Sequence, residues 1–186
     1  MANINKPGWC CLFSQTGSEI LEVSKQLKRL PDVIIYNTNF GTLPPINPEL
    51  IKLYDSVEKV INILPARPSA YDYYDFIHAG SVVTLHGWLR IIPPEVCTSY
   101  EIYNGHPGLI SKFPNLKGKD PQEKAFNLQL KTSGCVIHRV TAGVDEGEVL
   151  KEQEVNIENL ELASIISKLH DTSVDMWVKF LSEKLK

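Results

Sequence analysis

Short apolar runs recur along the chain, and in its first two thirds each is separated from the next by a stretch with helical spacing. Residues 9–13, Trp-Cys-Cys-Leu-Phe, read as a first strand. The loop Ser14–Ser18 follows, then a helix from about Glu19 to Lys28. Its apolar residues Ile20, Val23, Leu27 and Leu30 recur every three or four positions, and Pro31 stops it. Residues 32–37, 59–64, 81–86 and 101–106 read as further strands. Residues 49–54 and 69–79 are helical candidates between them, and residues 38–48, with three prolines, read as a loop. Pro93-Pro94 opens a short helix, since proline is tolerated in a first turn. This alternation predicts an α/β fold: an open, mostly parallel twisted sheet of Rossmann type with helices on both faces.

Beyond residue 106 the pattern loosens. A loop rich in Lys, Gly and Pro runs to about Pro121, a helix is expected over 122–130, and strands over 133–141 and 148–155. Residues 158–185 carry an amphipathic stripe that includes Leu162, Ile165, Leu169, Trp177 and Leu181, with a break expected near Asp171-Thr172. The 186 residues suffice for a single domain spanning 1–186. With 43% hydrophobic and 22% charged residues the chain reads as globular. A formal charge of −3 leaves no basic footprint for nucleic acid. The first six residues lack the apolar core of a signal peptide, and no apolar run reaches the length of a membrane span, so the expected compartment is the cytoplasm. Cys10, Cys11, Cys97 and Cys135 form no Cys-x-x-Cys pair and read as reduced thiols in strands.

The densest chemistry lies in Tyr103-Asn104-Gly105-His106-Pro107-Gly108. Asn104 and His106 are two apart, so on an extended segment they share a side. Pro107 has no N–H to offer a ladder and its ring disfavours helix at His106, so the strand is expected to end there. Open α/β sheets hold their ligands at strand ends of this kind. Asp145, on the loop between the last two strands, offers a carboxylate to the same place. The alternative for each residue alone is a structural hydrogen bond. A serine hydrolase is disfavoured by the lack of Gly-x-Ser-x-Gly, and a zinc site by the lack of ligand spacing, with His86 on another strand. Acyl transfer fits. Asn104 can donate to a carbonyl oxygen, a protonated His106 can stabilise an oxyanion, and Asp145 can raise the His106 pKa and help move a proton from an attacking amine.

At residues 82–91 (Val-Val-Thr-Leu-His-Gly-Trp-Leu-Arg-Ile), 104–109, 138–141 and 145–147 the sequence resembles the folate-dependent formyltransferases, a family that includes glycinamide ribonucleotide transformylase and the catalytic domain of methionyl-tRNA formyltransferase. The resemblance covers roughly residues 9–180 and is strongest over 81–150. It implies a formyltransferase-like fold and transfer of the formyl group of 10-formyltetrahydrofolate to a small-molecule amine, with Asn104, His106 and Asp145 as the catalytic trio. It implies a folate cleft lined by Trp88, Leu89, Arg90, Ile91 and Ile92 and by Val140, Thr141, Ala142, Gly143 and Val144, much of it read through main-chain groups. Trp88 can equally be core packing. The acceptor site would comprise Ser14, Gln15, Thr16, Gly17, Ser18, Glu19 and Gly108.

Glycinamide ribonucleotide is the family's default acceptor, with a modified nucleotide or amino sugar as others. The first loop departs from that default. Glu19 places a carboxylate where the acceptor's phosphate is expected, and like charges 4 Å apart repel by about 1 kcal/mol in water and more in a drier site. Thr16-x-x-Glu19 also fits a capping box that would occupy the helix amides. Poor use of glycinamide ribonucleotide is the expected consequence. Ser111 stands where the family motif has proline. Arg67 and the lysines 112, 117 and 119 are possible phosphate partners, a solvated loop being the alternative for the lysines. A separate tRNA-gripping domain is not expected. A non-catalytic folate- or nucleotide-binding protein is the alternative function. A dinucleotide-dependent oxidoreductase fits poorly, because residues 14–19 lack Gly-x-Gly-x-x-Gly.

Overall fold

The structure is a computed structural model, and it describes residues 7–37 and 45–186. The loop expected over 38–48 is therefore described only from Pro45 onward, and the reading of residues 1–6 lies outside the described residues. Among the described residues seven strands form one sheet in the order β3-β2-β1-β4-β5-β6-β7. The first five, β1 (Trp9–Phe13), β2 (Val33–Asn37), β3 (Ile61–Leu64), β4 (Val82–His86) and β5 (Ile102–His106), pair in parallel. β6 (Thr132–Arg139) pairs antiparallel with β5, and β7 (Val149–Asn156) antiparallel with β6, which completes an open, mostly parallel sheet.

Alternation along β1 builds the two faces. Trp9, Cys11 and Phe13 enter one core with Leu50 and Tyr54 of α2 (Pro48–Asp55), Ile20 and Val23 of α1 (Ser18–Leu27), and Trp177 and Phe180 of α6 (Leu162–Lys184). Cys10 and Leu12 enter the other, with Tyr73 of α3 (Ala70–Tyr74) and Val96 of α4 (Pro94–Ser99). Both faces of these strands are buried, which is why they read as continuous apolar runs. The chain leaves β1 towards β2 but reaches β4 on β1's other side. The sheet's switch point thus lies between β1 and β4, where α/β proteins open a crevice beyond the strands' carboxyl ends.

Three elements differ from expectation. The helix expected over 69–79 is the five-residue α3, started by a capping box in which the Ser69 amide donates to the Asp72 carboxylate at 2.7 Å. After Tyr74 the chain continues in turns that bury Ile77. The helix expected over 122–130 is α5 (Pro121–Asn127), and Gln129 beyond it has a left-handed backbone. The expected break in the last helix is absent. The Thr172 hydroxyl donates to the Lys168 carbonyl at 2.8 Å, one turn back, so a buried polar residue is satisfied without opening α6. The last helix starts at Leu162, four residues later than expected, and the other boundaries move by two residues or fewer. Among the described residues no helix is long and apolar enough to cross a membrane.

Gly105 lets α6 approach the sheet beside the motif. A Cβ there would lie 2.5 Å from Trp177 Nε1, and Trp177 is fully buried. Gly105→Ala should destabilise the fold by about 1–3 kcal/mol through overpacking, and Trp177→Phe in the same chain should recover part of the loss. Urea unfolding of the single and double variants measures this; equal stability of Gly105→Ala and wild type would contradict the packing described.

Candidate active site

The crevice at the switch point has a volume of about 750 Å³. Its walls come from the turn after β1 (15–19), the end of β4 and its loop (85–92), β5 (104–107), the segment 118–122, the β6–β7 connection (138, 140–145), and one side of α6 (Ile166, Leu169, His170, Ser173).

Every residue of the two expected folate segments, 88–92 and 140–144, lines this one crevice. Trp88 serves as both core and wall: it is 9% exposed and its ring meets Tyr73 edge-on at 6.2 Å. Leu89, Ile91 and Val144 are exposed apolar side chains at the rim. On the acceptor side Gln15, Thr16, Gly17, Ser18 and Glu19 line the crevice, whereas Ser14 and Gly108 do not. Ser14 is fully buried, and its Oγ accepts the Leu89 amide at 3.0 Å, tying the β1 turn to the β4 loop. Gly108 is needed for close packing, since a Cβ there would stand 2.9 Å from Pro121 and 3.0 Å from the His106 ring. Of the possible phosphate partners only Lys119 lines the crevice; Lys112 is paired with Glu154 at 3.1 Å, and Arg67 is exposed away from it.

Asn104 and His106 end β5, and Asn104 pairs across the sheet with His138 of β6, beside a register shift at Ile137/His138. Asp145 reaches the same point from a left-handed residue, φ 50°, in the β6–β7 connection. Its Oδ2 accepts the Gly118 amide at 2.8 Å and lies 3.4 Å from His106 Nδ1. Its Oδ1 accepts Asn104 Nδ2 at 3.4 Å and lies 3.3 Å from His138 Nε2. Asn104 Nδ2 also meets His138 Nε2 at 3.1 Å. The three titratable side chains are 10% exposed or less.

Two backbone carbonyls fix the imidazoles. His106 Nε2 lies 2.9 Å from the Leu116 carbonyl and His138 Nδ1 2.9 Å from the Arg139 carbonyl. A carbonyl only accepts, so each of these nitrogens carries hydrogen. His138 Nε2 faces both the Asn104 amide and the Asp145 carboxylate, and His106 Nδ1 is left to take a proton beside Asp145. Burial lowers the His106 pKa, and Asp145 and the Leu116 carbonyl oppose this without reversing it. For Asp145, burial raises the pKa, but the His138 hydrogen bond, the His106 charge and the Gly118 amide outweigh it and bring the carboxyl to about 2. The site therefore holds a permanent anion beside an imidazole that can gain a proton.

A second polar cluster forms the far wall. Glu19 Oε2 lies 2.6 Å from His86 Nδ1, and Glu19 Oε1 accepts the Ser173 hydroxyl at 2.5 Å. Burial acts against this charge, yet these hydrogen bonds and the charges of His86 and His170 keep the carboxyl below its usual range. The capping box expected between Thr16 and Glu19 is not formed. The N-cap is Gly17, left-handed at φ 74°, and the Glu19 side chain turns inward to His86. The sequence alone gives His138, His86 and the α6 wall no role at the site. His138 lies across a register set by a connection of some two dozen residues, and helical spacing alone does not separate a crevice wall from core packing.

An open α/β sheet with its crevice at the switch point, holding an amide, two imidazoles and a carboxylate, defines a small-ligand α/β protein. The comparison with known families narrows the class: residues 46–181 match the family described as formyl transferase, and the chain belongs to it. It is 29% identical over 97 residues to the phosphoribosylglycinamide formyltransferase of Bacillus subtilis, covering 50% of this chain and 48% of that one. It is 26% identical over 162 residues to the methionyl-tRNA formyltransferase of Thermotoga neapolitana, covering 86% of this chain and 46% of that one. The chain thus spans about half the length of these relatives. The solved phosphoribosylglycinamide formyltransferase of Anaplasma phagocytophilum superposes with a TM-score of 0.78 at 20% identity, over 96% of this chain and 86% of that one, a likeness of fold.

Asp145→Asn tests the buried anion, since asparagine tolerates the left-handed backbone. A carboxyl lowered from 3.8 to about 2 stabilises the fold above pH 3.8, and the effect is lost as pH falls through about 2. At 1.36 kcal/mol per pH unit this is about 2 kcal/mol. The variant should be less stable than wild type near neutrality by an amount of that order, and the gap should close between about pH 4 and pH 2 in melting experiments. A gap unchanged with pH would contradict the charged assignment.

Proposed function

We propose that the chain transfers the formyl group of 10-formyltetrahydrofolate to the amine of a small molecule, with Asn104, His106 and Asp145 at the reacting centre. The observation that carries the reading is the convergence of these three side chains at a strand end, inside a crevice with apolar walls of a size suited to a drug-sized ligand. Segments 88–92 and 140–144 would hold the folate, through main-chain groups and the walls of Trp88 and Ile92. The bound folate supplies a formyl carbon joined to a nitrogen that can leave.

The chain's own residues then have separable tasks. The contact from Asn104 to Asp145 is long, so one N–H is released at small cost to the formyl oxygen. His106 Nδ1 stands beside Asp145. Negative charge developing on the formyl oxygen favours a proton there, and hydrogen-bond lengths in a catalytic site shorten when substrate is bound. The proton lost by the attacking amine thus has a destination, and His106 can return it to the departing folate nitrogen. Asp145 is too acidic to serve as the sole base. It holds the imidazolium and the positive charge of the attacking amine. His138 keeps Asn104 and Asp145 in place.

Formylation of a panel of small amines by 10-formyltetrahydrofolate, followed through tetrahydrofolate release, tests this. Asn104→Ala, His106→Ala and Asp145→Asn should each reduce turnover by roughly 100- to 1000-fold while the far-ultraviolet dichroism stays native. Wild-type turnover in all three would show the trio to be structural.

A further inference from the structure

The far wall of the crevice says what kind of acceptor it admits. The first turn of α1 points into the crevice through Gly17, Ser18 and Glu19. A helix N-terminus of this kind is a natural anion position. Here the first turn carries a carboxylate of its own beside that position, turned to His86 and Ser173. Glu19 is 19% exposed at the side chain, lines the crevice, and is held from behind on both oxygens, by His86 from β4 and by Ser173 from α6.

The surrounding groups give an incoming phosphate little in return. His86 is committed at both nitrogens, Nδ1 to Glu19 and Nε2 to the Thr84 hydroxyl at 3.0 Å, and that hydroxyl is itself 2.9 Å from the Trp9 indole N–H. His170 meets a second carboxylate, Glu22, at 3.2 Å. The fixed cations among the described crevice residues are Arg90 and Lys119, and neither is on α1 or α6. Lys119 follows Gly118, whose amide holds Asp145, so it belongs to the opposite, catalytic end. A carboxylate has about four lone-pair sites, and two are used on Glu19. Because Glu19 lines the crevice, the remainder are open to donors of a ligand there.

The two clusters lie close enough for one small molecule. β4 and β5 are adjacent, with Leu85 paired to Asn104, so His86 ends its strand diagonally opposite the motif. The His86 ring packs on Trp177 at 4.7 Å, and Trp177 in turn packs on Gly105 between the two catalytic positions.

Building on the formyl-transfer reading, we propose that Glu19 is a specificity-determining residue that selects an unphosphorylated amine rich in hydrogen-bond donors, such as a hydroxylated amine or diamine, and rejects its phosphate esters. The amine to be formylated points to Asp145, and the hydroxyl or second ammonium group donates to Glu19.

The test is calorimetric titration with saturating tetrahydrofolate present, so that binding is read without turnover. The probes are glucosamine, serinol and glycinamide riboside, each beside its phosphate ester. At least one unphosphorylated probe should bind the wild type about tenfold or more tighter than its ester, and Glu19→Gln should shift that ratio towards the ester by about tenfold. A phosphate ester that binds wild type more tightly than its parent overturns the proposal. So does the failure of every unphosphorylated probe to bind, or a ratio unchanged in Glu19→Gln. The wild-type ratio decides the matter even if the variant folds poorly. Binding of tetrahydrofolate itself is read first in the same cell: if it fails, the formyl-transfer reading falls, whereas if it succeeds and the probe ratios go the wrong way, only the acceptor proposal falls.

Discussion

A carboxylate removed from water stays charged only if donors surround it. Around Asp145 stand four polar groups from three parts of the chain: the donating Gly118 amide and Asn104 side chain, with the imidazoles of His106 from β5 and His138 from β6. Losing one of them leaves a buried charge short of a partner, which costs more than the contact alone would suggest. The arrangement therefore ties the β6–β7 connection, the segment after β5 and the end of the sheet into one unit. It also explains the left-handed backbone at Asp145, which turns the carboxylate back towards the strands.

The rest of the crevice follows from the sheet order. Because β4 crosses to the far side of β1, the turns after these two strands diverge and leave a gap between them. Ser14 bridges the floor of that gap through the Leu89 amide. One end is governed by Asp145 and its histidines, the other by Glu19 with His86 and Ser173. Both ends carry an internally satisfied carboxylate, and this favours ligand groups that donate hydrogen bonds or carry positive charge.

The parallel half of the fold was legible because its central strands are buried on both faces, so Trp9–Phe13 stands out as an unbroken apolar run and Val82–His86 as a run of mostly apolar residues. Asn104, His106 and Asp145 were legible through residue type and position. Less local features were not. The Thr16–Glu19 spacing suggested a helix cap, but burial beside His86 and Ser173 is the stronger pull on that carboxylate. Asp171-Thr172 suggested a break, but a hydroxyl that bonds one turn back is compatible with a continuous helix. His138 depends on antiparallel register across a long connection, and register is a property of the assembled sheet. Ser14 and Gly108, grouped with the acceptor loop by position, serve backbone and packing needs instead.

The central claim is that a formyl carbon is delivered to an amine beside His106. The most direct measurement is carbon-13 NMR of the protein mixed with 10-formyltetrahydrofolate labelled at the formyl carbon and with the best-binding amine. The account predicts that the label moves to a formamide carbon on the amine, at a rate that falls by roughly 100-fold or more in His106→Ala. Label that remains on the folate, appears as free formate, or moves equally fast in the variant would contradict it.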